Sequence, residues 1–326
     1  MSSILSFKEL LNLFEQYVSN HTLSKEPKLL YEPIHYILQI GGKRVRPVAL
    51  LMGYQLFDKP AEDVLSLAMA IELFHNFSLI HDDMMDNSEM RRGQPSVHIK
   101  YGQNAGILSG DMALVEAYQY LCHSQHWRLP SLLSTFNDMA REVCEGQQMD
   151  IDFEEDLYIE EEDYLEMIRR KTAVLLGASF EMGAIAAGAS EDECTALRHF
   201  GIYTGLAFQL MDDYLDSFGN TSLTGKKSGG DILQRKKNYL YIYTLKNSKG
   251  RDKDEFFYLY NKEGKSDEEI ASICAMMQRT RAEEALLIRA REYDDKATHA
   301  LPASLLSKAG YGPILDLRNM LATRTF

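Results

Sequence analysis

Apolar residues recur at three- and four-residue steps along nearly the whole chain, and this period confines the fold to helices. Phe7, Leu10, Leu11, Phe14 and Val18 fall on one face, as do Leu165, Ile168, Thr172 and Leu175 further on. Ser266 and Glu269 form a capping-box pattern ahead of Ile270, Ile273, Cys274 and Met277. No sustained alternation with period two competes. Breaks fall at Pro27, Pro33, Gly41-Gly42, Asp58-Lys59-Pro60, Arg92-Gly93-Gln94-Pro95, Pro130 and the stretch Gly219 to Gly230. Helices of about 10 to 25 residues remain between them. The expectation is an all-α bundle with no linker polar or long enough to divide it, so that residues 1–326 form a single domain. Ser248 to Lys253 reads as a solvated loop.

The formal charge of -13, from 35 Lys and Arg against 48 Asp and Glu, argues against a nucleic-acid partner. An anionic substrate would need local cations or metal ions. Cys122, Cys144, Cys194 and Cys274 lie far apart and form no CxxC pair, so they read as reduced thiols. No basic segment followed by an apolar run opens the chain. The longest apolar stretch, Ala173 to Ala189, is interrupted by Glu181 and is too short for a membrane span. A cytoplasmic protein is expected.

Two acidic clusters carry the chemistry. His81-Asp82-Asp83-Met84-Met85-Asp86 follows the apolar stretch Ile71 to Ile80, and Met211-Asp212-Asp213-Tyr214-Leu215-Asp216 follows Phe200 to Leu210. On a helix, residues four apart share a face at about 6 Å along the axis, so Asp82 and Asp86 point the same way. Close carboxylates repel unless a hard cation joins them, and Mg²⁺ accepts one or two carboxylates while keeping positions for water and phosphate oxygens. One such cluster is a weak signal, because acidic helix faces are common. Two apolar helices ending in the same acidic turn suggest carboxylates facing each other across a cavity.

Basic residues group beside these turns. Gly41-Gly42-Lys43-Arg44-Val45-Arg46-Pro47 sets three cations beside two glycines at a helix start, where unpaired N–H groups also favour phosphate. Arg91-Arg92-Gly93 comes five residues after Asp86. Lys226, Lys227, Lys236 and Lys237 follow the second cluster.

In these segments the chain resembles the trans-isoprenyl diphosphate (polyprenyl) synthases. GGKRVRP at 41–47, HNFSLIHDDMMDNSEMRRG at 75–93, GQQMD at 146–150, KT at 171–172, FQLMDDYLD at 208–216 and GKKSGGDILQRK at 225–236 occur in that family's order. The resemblance implies an orthogonal helix bundle around a central cavity, a homodimer, and three Mg²⁺ per active site. Asp82, Asp86 and Asp212 would be direct metal ligands, supported by Asp83, Asp213 and Asp216. Arg91, Lys171, Lys226 and Lys236 would hold an allylic diphosphate, and Lys43, Arg46, His75 and Arg92 would hold isopentenyl diphosphate. Thr172 and Gln209 would turn oxygen dipoles toward the allylic cation. Lys171, Thr172, Gln209 and Lys226 are thus the expected catalytic set.

In this family the residue five before the first aspartate helps set the floor of the product tunnel. Here it is Phe77, with Phe74 three residues earlier, which implies a short product of C15 to C20. One departure is Asn238, where the family usually has a small hydroxyl residue. A class I terpene cyclase would replace the second acidic motif with a mixed Asn/Ser/Glu motif. A non-catalytic regulatory subunit would tolerate loss of aspartates, yet all six are present.

Overall fold

The computed structural model describes residues 4–21, 23, 26–124, 126–156, 158–219 and 229–323. It consists of helices and one two-stranded hairpin. In order these are α1 Phe7–Asn20, α2 Lys28–Gln39, α3 Val45–Gln55, α4 Leu65–Met85, β1 Met90–Arg91, β2 Gln94–Pro95, α5 Val97–Tyr101, α6 Gln103–His123, α7 Leu129–Glu155 and α8 Glu161–Ile168. After a π turn at Arg169–Ala173 come α9 Val174–Ala187, α10 Glu191–Phe218, α11 Gly230–Gln234, α12 Tyr239–Asn247, α13 Gly250–Asn261, α14 Asp267–Arg279, α15 Ala282–Ala300, α16 Ala303–Leu306 and α17 Tyr311–Thr323. Capping boxes start α1 at Ser6, α10 at Ser190 and α14 at Ser266.

Two large apolar clusters form the core. One gathers α1 to α4, α6, α7, α9 and α17, and the other gathers α8 and α12 to α15. Helix α10 joins them, giving Leu197 and Phe200 to the first and Leu206 and Leu210 to the second. Helix α9 has one charged residue, Glu181, which pairs with Arg198 at 3.3 Å; it is otherwise largely apolar, and nearly all of its residues are buried, as such a helix must be. Glycine lets its neighbours approach closely. A Cβ on Gly183 would stand 2.2 Å from the Leu50 carbonyl oxygen, and one on Gly53 would stand 2.6 Å from that of Phe180, so α3 and α9 touch backbone to backbone.

Three boundaries differ from the sequence reading. Pro33 lies inside α2 instead of ending it, because burial of the face formed by Pro33, Ile34, Ile37 and Leu38 outweighs the N–H that proline lacks toward the carbonyl of Leu29. Pro130 sits in the first turn of α7, where its missing N–H costs nothing. The expected loop Ser248 to Lys253 is cut short at Gly250, where α13 begins, although its charged side chains do face solvent. The most membrane-like helix is also not Ala173–Ala189. Among the described residues only Ala61–Met85 is long and apolar enough to cross a membrane, and most of it is buried inside the protein as a core helix. Gly183→Ala should destabilise the fold by about 2 kcal/mol or more through overpacking against α3. Urea denaturation should show a lower midpoint at unchanged slope.

Candidate active site

Both acidic helix ends border one polar cavity of about 230 Å³, with Asp82, Asp150, Lys171, Gln209, Asp213 and Lys236 in its wall. Asp86 caps α4 and its N–H donates to the Asp82 carbonyl at 2.9 Å, so the two carboxylates do share a face one turn apart. Cations separate the aspartates. Lys171 Nζ lies 3.0 Å from Asp82 Oδ1 and 2.6 Å from Asp150 Oδ2. Lys236 Nζ lies 3.1 Å from Asp86 Oδ2 and 4.0 Å from Asp150 Oδ2, which makes Asp150 the shared counterion of two lysines. Arg91 spans Asp83, at 2.9 Å from Nε, and Asp82, at 3.3 Å from its terminal nitrogen.

The titration behaviour follows these contacts. Burial works to raise the Asp82 carboxyl, but Lys171, with Arg91 and Lys236, outweighs it and holds the group below the usual carboxylate range. Asp83 is almost fully buried, and there burial wins and raises the carboxyl. Asp213 is also buried and is pushed well up by burial and by Asp231. Its carboxylate accepts from the Tyr164 hydroxyl and from Gln209 Nε2 at 3.2 Å. Asp231, pushed up to about 6 by burial and Asp216, accepts from Asn238 Nδ2 at 3.0 Å, while its own N–H donates to Asp216 Oδ2 at 2.9 Å.

A second cavity of about 400 Å³ adjoins the first and is lined by Gly42, Lys43, Arg46, His75, Arg92 and Phe208. Gly41, Gly42 and Arg44 all have positive φ, which folds the chain tightly into α3. A Cβ on Gly42 would stand 2.6 Å from the Arg92 guanidinium, so glycine keeps that cation in the cavity wall. Arg44 has a different job from its neighbours. It is buried and pairs with Glu72, with Glu15 at 2.8 Å and with the Leu38 carbonyl, tying α1, α2 and α4 behind the cavity. Arg46 donates to His75 Nε2 at 3.2 Å. An arginine cannot accept, so the His75 proton must sit on Nδ1. Burial, then Arg46 and Arg92, drive the His75 pKa well below its ordinary value, and burial brings Arg46 down to about 10.

Thr172 lines both cavities. It stands on the π turn, where the sequence predicts unbroken α-helix. Gly146 and Gly205 make room for the extra residue, since a Cβ on the first would stand 2.3 Å from the Lys171 nitrogen and one on the second 2.7 Å from Ala173 Cα. Phe77 lies one to two turns deeper on α4 than Asp82, its ring 5.0 Å from His81 and 5.5 Å from Phe74, which is itself fully buried.

The structure thus gathers Asp82, Asp213, Lys171, Lys236, Thr172 and Gln209 around one cavity, and Lys43, Arg46, His75 and Arg92 around the other. Lys226 and Lys227, with Arg324, lie outside the described residues. Arg318 pairs with Asp294 at 2.8 Å and docks α17 on α15. Sequence reasoning assigned no role to Tyr164 or Asp231. A tyrosine whose ring keeps the apolar phase of α8 gives no sign that its hydroxyl reaches an aspartate on α10.

Among the described residues, no group of three or more His, Cys, Asp or Glu side chains could hold a metal ion unaided. An oxygen-only donor set with lysines between its members nonetheless fits magnesium, which needs few protein ligands and takes its remaining ones from water and phosphate.

The sequence profile of the family described as polyprenyl synthetase matches residues 27–277. A short chain isoprenyl diphosphate synthase of Methanocaldococcus jannaschii is 39% identical over 249 residues, 76% of each chain. A crystal structure of a geranylgeranyl pyrophosphate synthase superposes with a TM-score of 0.92 at 37% identity, covering 98% of this chain and 99% of the other. Another such enzyme, from Corynebacterium glutamicum and complexed with isoprenyl diphosphate and magnesium, gives a TM-score of 0.81 at 27% identity, covering 98% and 96%. The chain belongs to the polyprenyl synthetase family and is a trans-prenyltransferase.

The His75 environment sets a pH dependence. The folded protein keeps the imidazole neutral, whereas the unfolded chain takes up a proton below about pH 6.5, so stability falls as pH drops through that value. Between pH 6.5 and 5.5 the wild type should lose about 1 kcal/mol more than His75→Gln in urea titrations. Equal losses in the two proteins would remove His75 from this account.

Proposed function

We propose that this enzyme joins isopentenyl diphosphate head to tail to an allylic diphosphate and releases diphosphate, with a C20 product. The observation that carries this reading is the pair of adjoining cavities. One is lined by an aspartate of each acidic turn, Asp82 and Asp213, with Lys171 and Lys236; the other is lined by Lys43, Arg46, His75 and Arg92, and Thr172 stands between them.

Asp82, Asp86 and Asp212 would hold magnesium, three ions per site by family resemblance, with Asp83, Asp213 and Asp216 supporting the metals and their waters and Asp83 set by Arg91. When bound, the metal supplies charge stabilisation for a departing diphosphate. Arg91, Lys171 and Lys236, with Lys226, hold the same diphosphate and accept the negative charge that grows as the allylic carbon–oxygen bond breaks. Gln209 spends its N–H on Asp213, which leaves its oxygen for the allylic cation, and Thr172 offers a second oxygen. Lys43, Arg46, His75 and Arg92 hold isopentenyl diphosphate so that its terminal alkene attacks that cation. A neutral His75 donates a hydrogen bond without adding charge. The proton then lost goes to the released diphosphate, and no protein nucleophile is needed. A class I cyclase would have no use for the second cavity.

Two further elements belong to this reading. The exposed side chains Ile107, Leu108 and Val115 on one face of α6 suit burial in a homodimer. The mostly buried α4 supports a soluble, cytoplasmic enzyme built as one domain. The C20 assignment rests on Phe77 and on the geranylgeranyl relatives.

Purified protein with Mg²⁺, isopentenyl diphosphate and dimethylallyl, geranyl or farnesyl diphosphate should give a C20 product by mass analysis. Folded protein that elongates none of the three primers would sink the proposal. Phe77→Ser should lengthen the product, and an unchanged chain-length distribution would exclude Phe77 as the floor.

A further inference from the structure

Lys237, the neighbour of the active-site lysine, is buried, and its ammonium donates to the carbonyls of Phe153, at 2.8 Å, of Glu154, at 3.0 Å, and of Asp156. A lysine ammonium has three donors, so all three are used. The acceptors belong to the end of α7, where the last carbonyls of a helix have no intrahelical partner and where the negative pole of the helix dipole favours a cation. Lys237 is therefore the C-terminal cap of a 27-residue helix supplied from 81 to 84 residues away in sequence.

The segment that supplies it is anchored on every side. The Lys236 carbonyl accepts from the Tyr260 hydroxyl, and the Lys236 N–H donates to the Asp231 carbonyl at 2.9 Å. Asn238 caps α12 by accepting from the Tyr241 N–H at 3.2 Å and donates to Asp231. The departure from a hydroxyl residue at 238 thus keeps a helix cap and adds an amide donor to the Asp231 carboxylate. Helix α7 also carries Asp150, little more than a turn before the capped carbonyls, and Asp150 bridges Lys171 and Lys236.

We propose that Lys237 is a positioning residue: by clamping the end of α7 to residue 236 it fixes Asp150 between Lys171 and Lys236, and so sets where both ammonium groups meet the allylic diphosphate. This rests on the functional reading above. Two ends of the Asp150–Lys236 contact are then tied together through one covalent neighbour, and the lysine pair cannot spread when the cavity is empty or crowd when it fills.

Lys237→Met removes the three donors while keeping an unbranched side chain. It should lower kcat about tenfold and raise the KM for the allylic substrate, with the KM for isopentenyl diphosphate unchanged. Lys237→Arg should recover most of the loss. In an Asp150→Asn background the same Lys237→Met change should cost much less, because the group it positions is gone. Amide hydrogen exchange in residues 148–156 should speed up in Lys237→Met, a readout that needs no turnover and can be made on protein of any activity. Unchanged kinetics and exchange, or a loss equal in both backgrounds, would overturn the clamp while leaving the enzymatic reading intact. A wild type that elongates no primer would instead remove that reading, and with it the diphosphate role, whatever the exchange shows. If Lys237→Met does not fold, Lys237→Gln, whose neutral amide has only two N–H donors for the three carbonyls, carries the same cycle and the same exchange measurement with a smaller loss expected.

Discussion

Like charges cannot share a cavity without something between them, and the centre of this molecule is organised around that rule. The acidic turns of α4 and α10 face one space; Lys171, Lys236 and Arg91 stand among the α4 carboxylates, while Asp213 on α10 is met by the Tyr164 hydroxyl and the Gln209 amide. On the proposed reading, a metal-bound diphosphate would enter among these cations, and the arrangement would then act as a set of exchangeable pairs. Breaking one buried pair by removal of a partner would strand a charge, whereas exchanging partners would not. Asp150 extends the same logic by holding the two lysines near each other when nothing else binds them.

The bundle exists to bring those helix ends together. Helices α4 and α10 are long because their acidic ends must reach the cavity while their apolar lengths remain in the core. The close approach of α3 to α9, and of α7 and α10 to the π turn, uses glycine wherever a Cβ would meet backbone. The same economy brings Arg92 against Gly42. Charge in the second cavity is managed by geometry: Arg44 pairs with Glu72, while Lys43, Arg46 and Arg92 complete the cationic wall.

Much of this was legible before the structure. The apolar period identified the helices, because burial on one side imposes it, and the acidic and basic segments lie at helix ends that the breaks already marked. What stayed hidden has two physical sources. Pairings such as Lys237 with the end of α7, or Tyr164 with Asp213, depend on tertiary geometry, and no local pattern records them. The π turn at Arg169–Ala173 needs one extra residue in a segment whose apolar spacing is compatible with ordinary helix; only the opposed Gly146 and Gly205 hint at it. Pro33 misled because tertiary burial of the face it lies on outweighs the hydrogen bond that proline forgoes.

Helix α4 carries His75 of one cavity, the Phe77 and Phe74 rings, and the acidic turn of the other cavity on one rigid rod. Depth below the reacting centre is therefore read along a single axis, about 1.5 Å per residue and about 5.4 Å per turn. On the proposed reading, with Phe77 as the floor, the product would be measured with a ruler whose graduations are helical residues. Its length would then change only in steps, as a bulky ring moves from one graduation to another, while the groups at the top of the rod stay where they are.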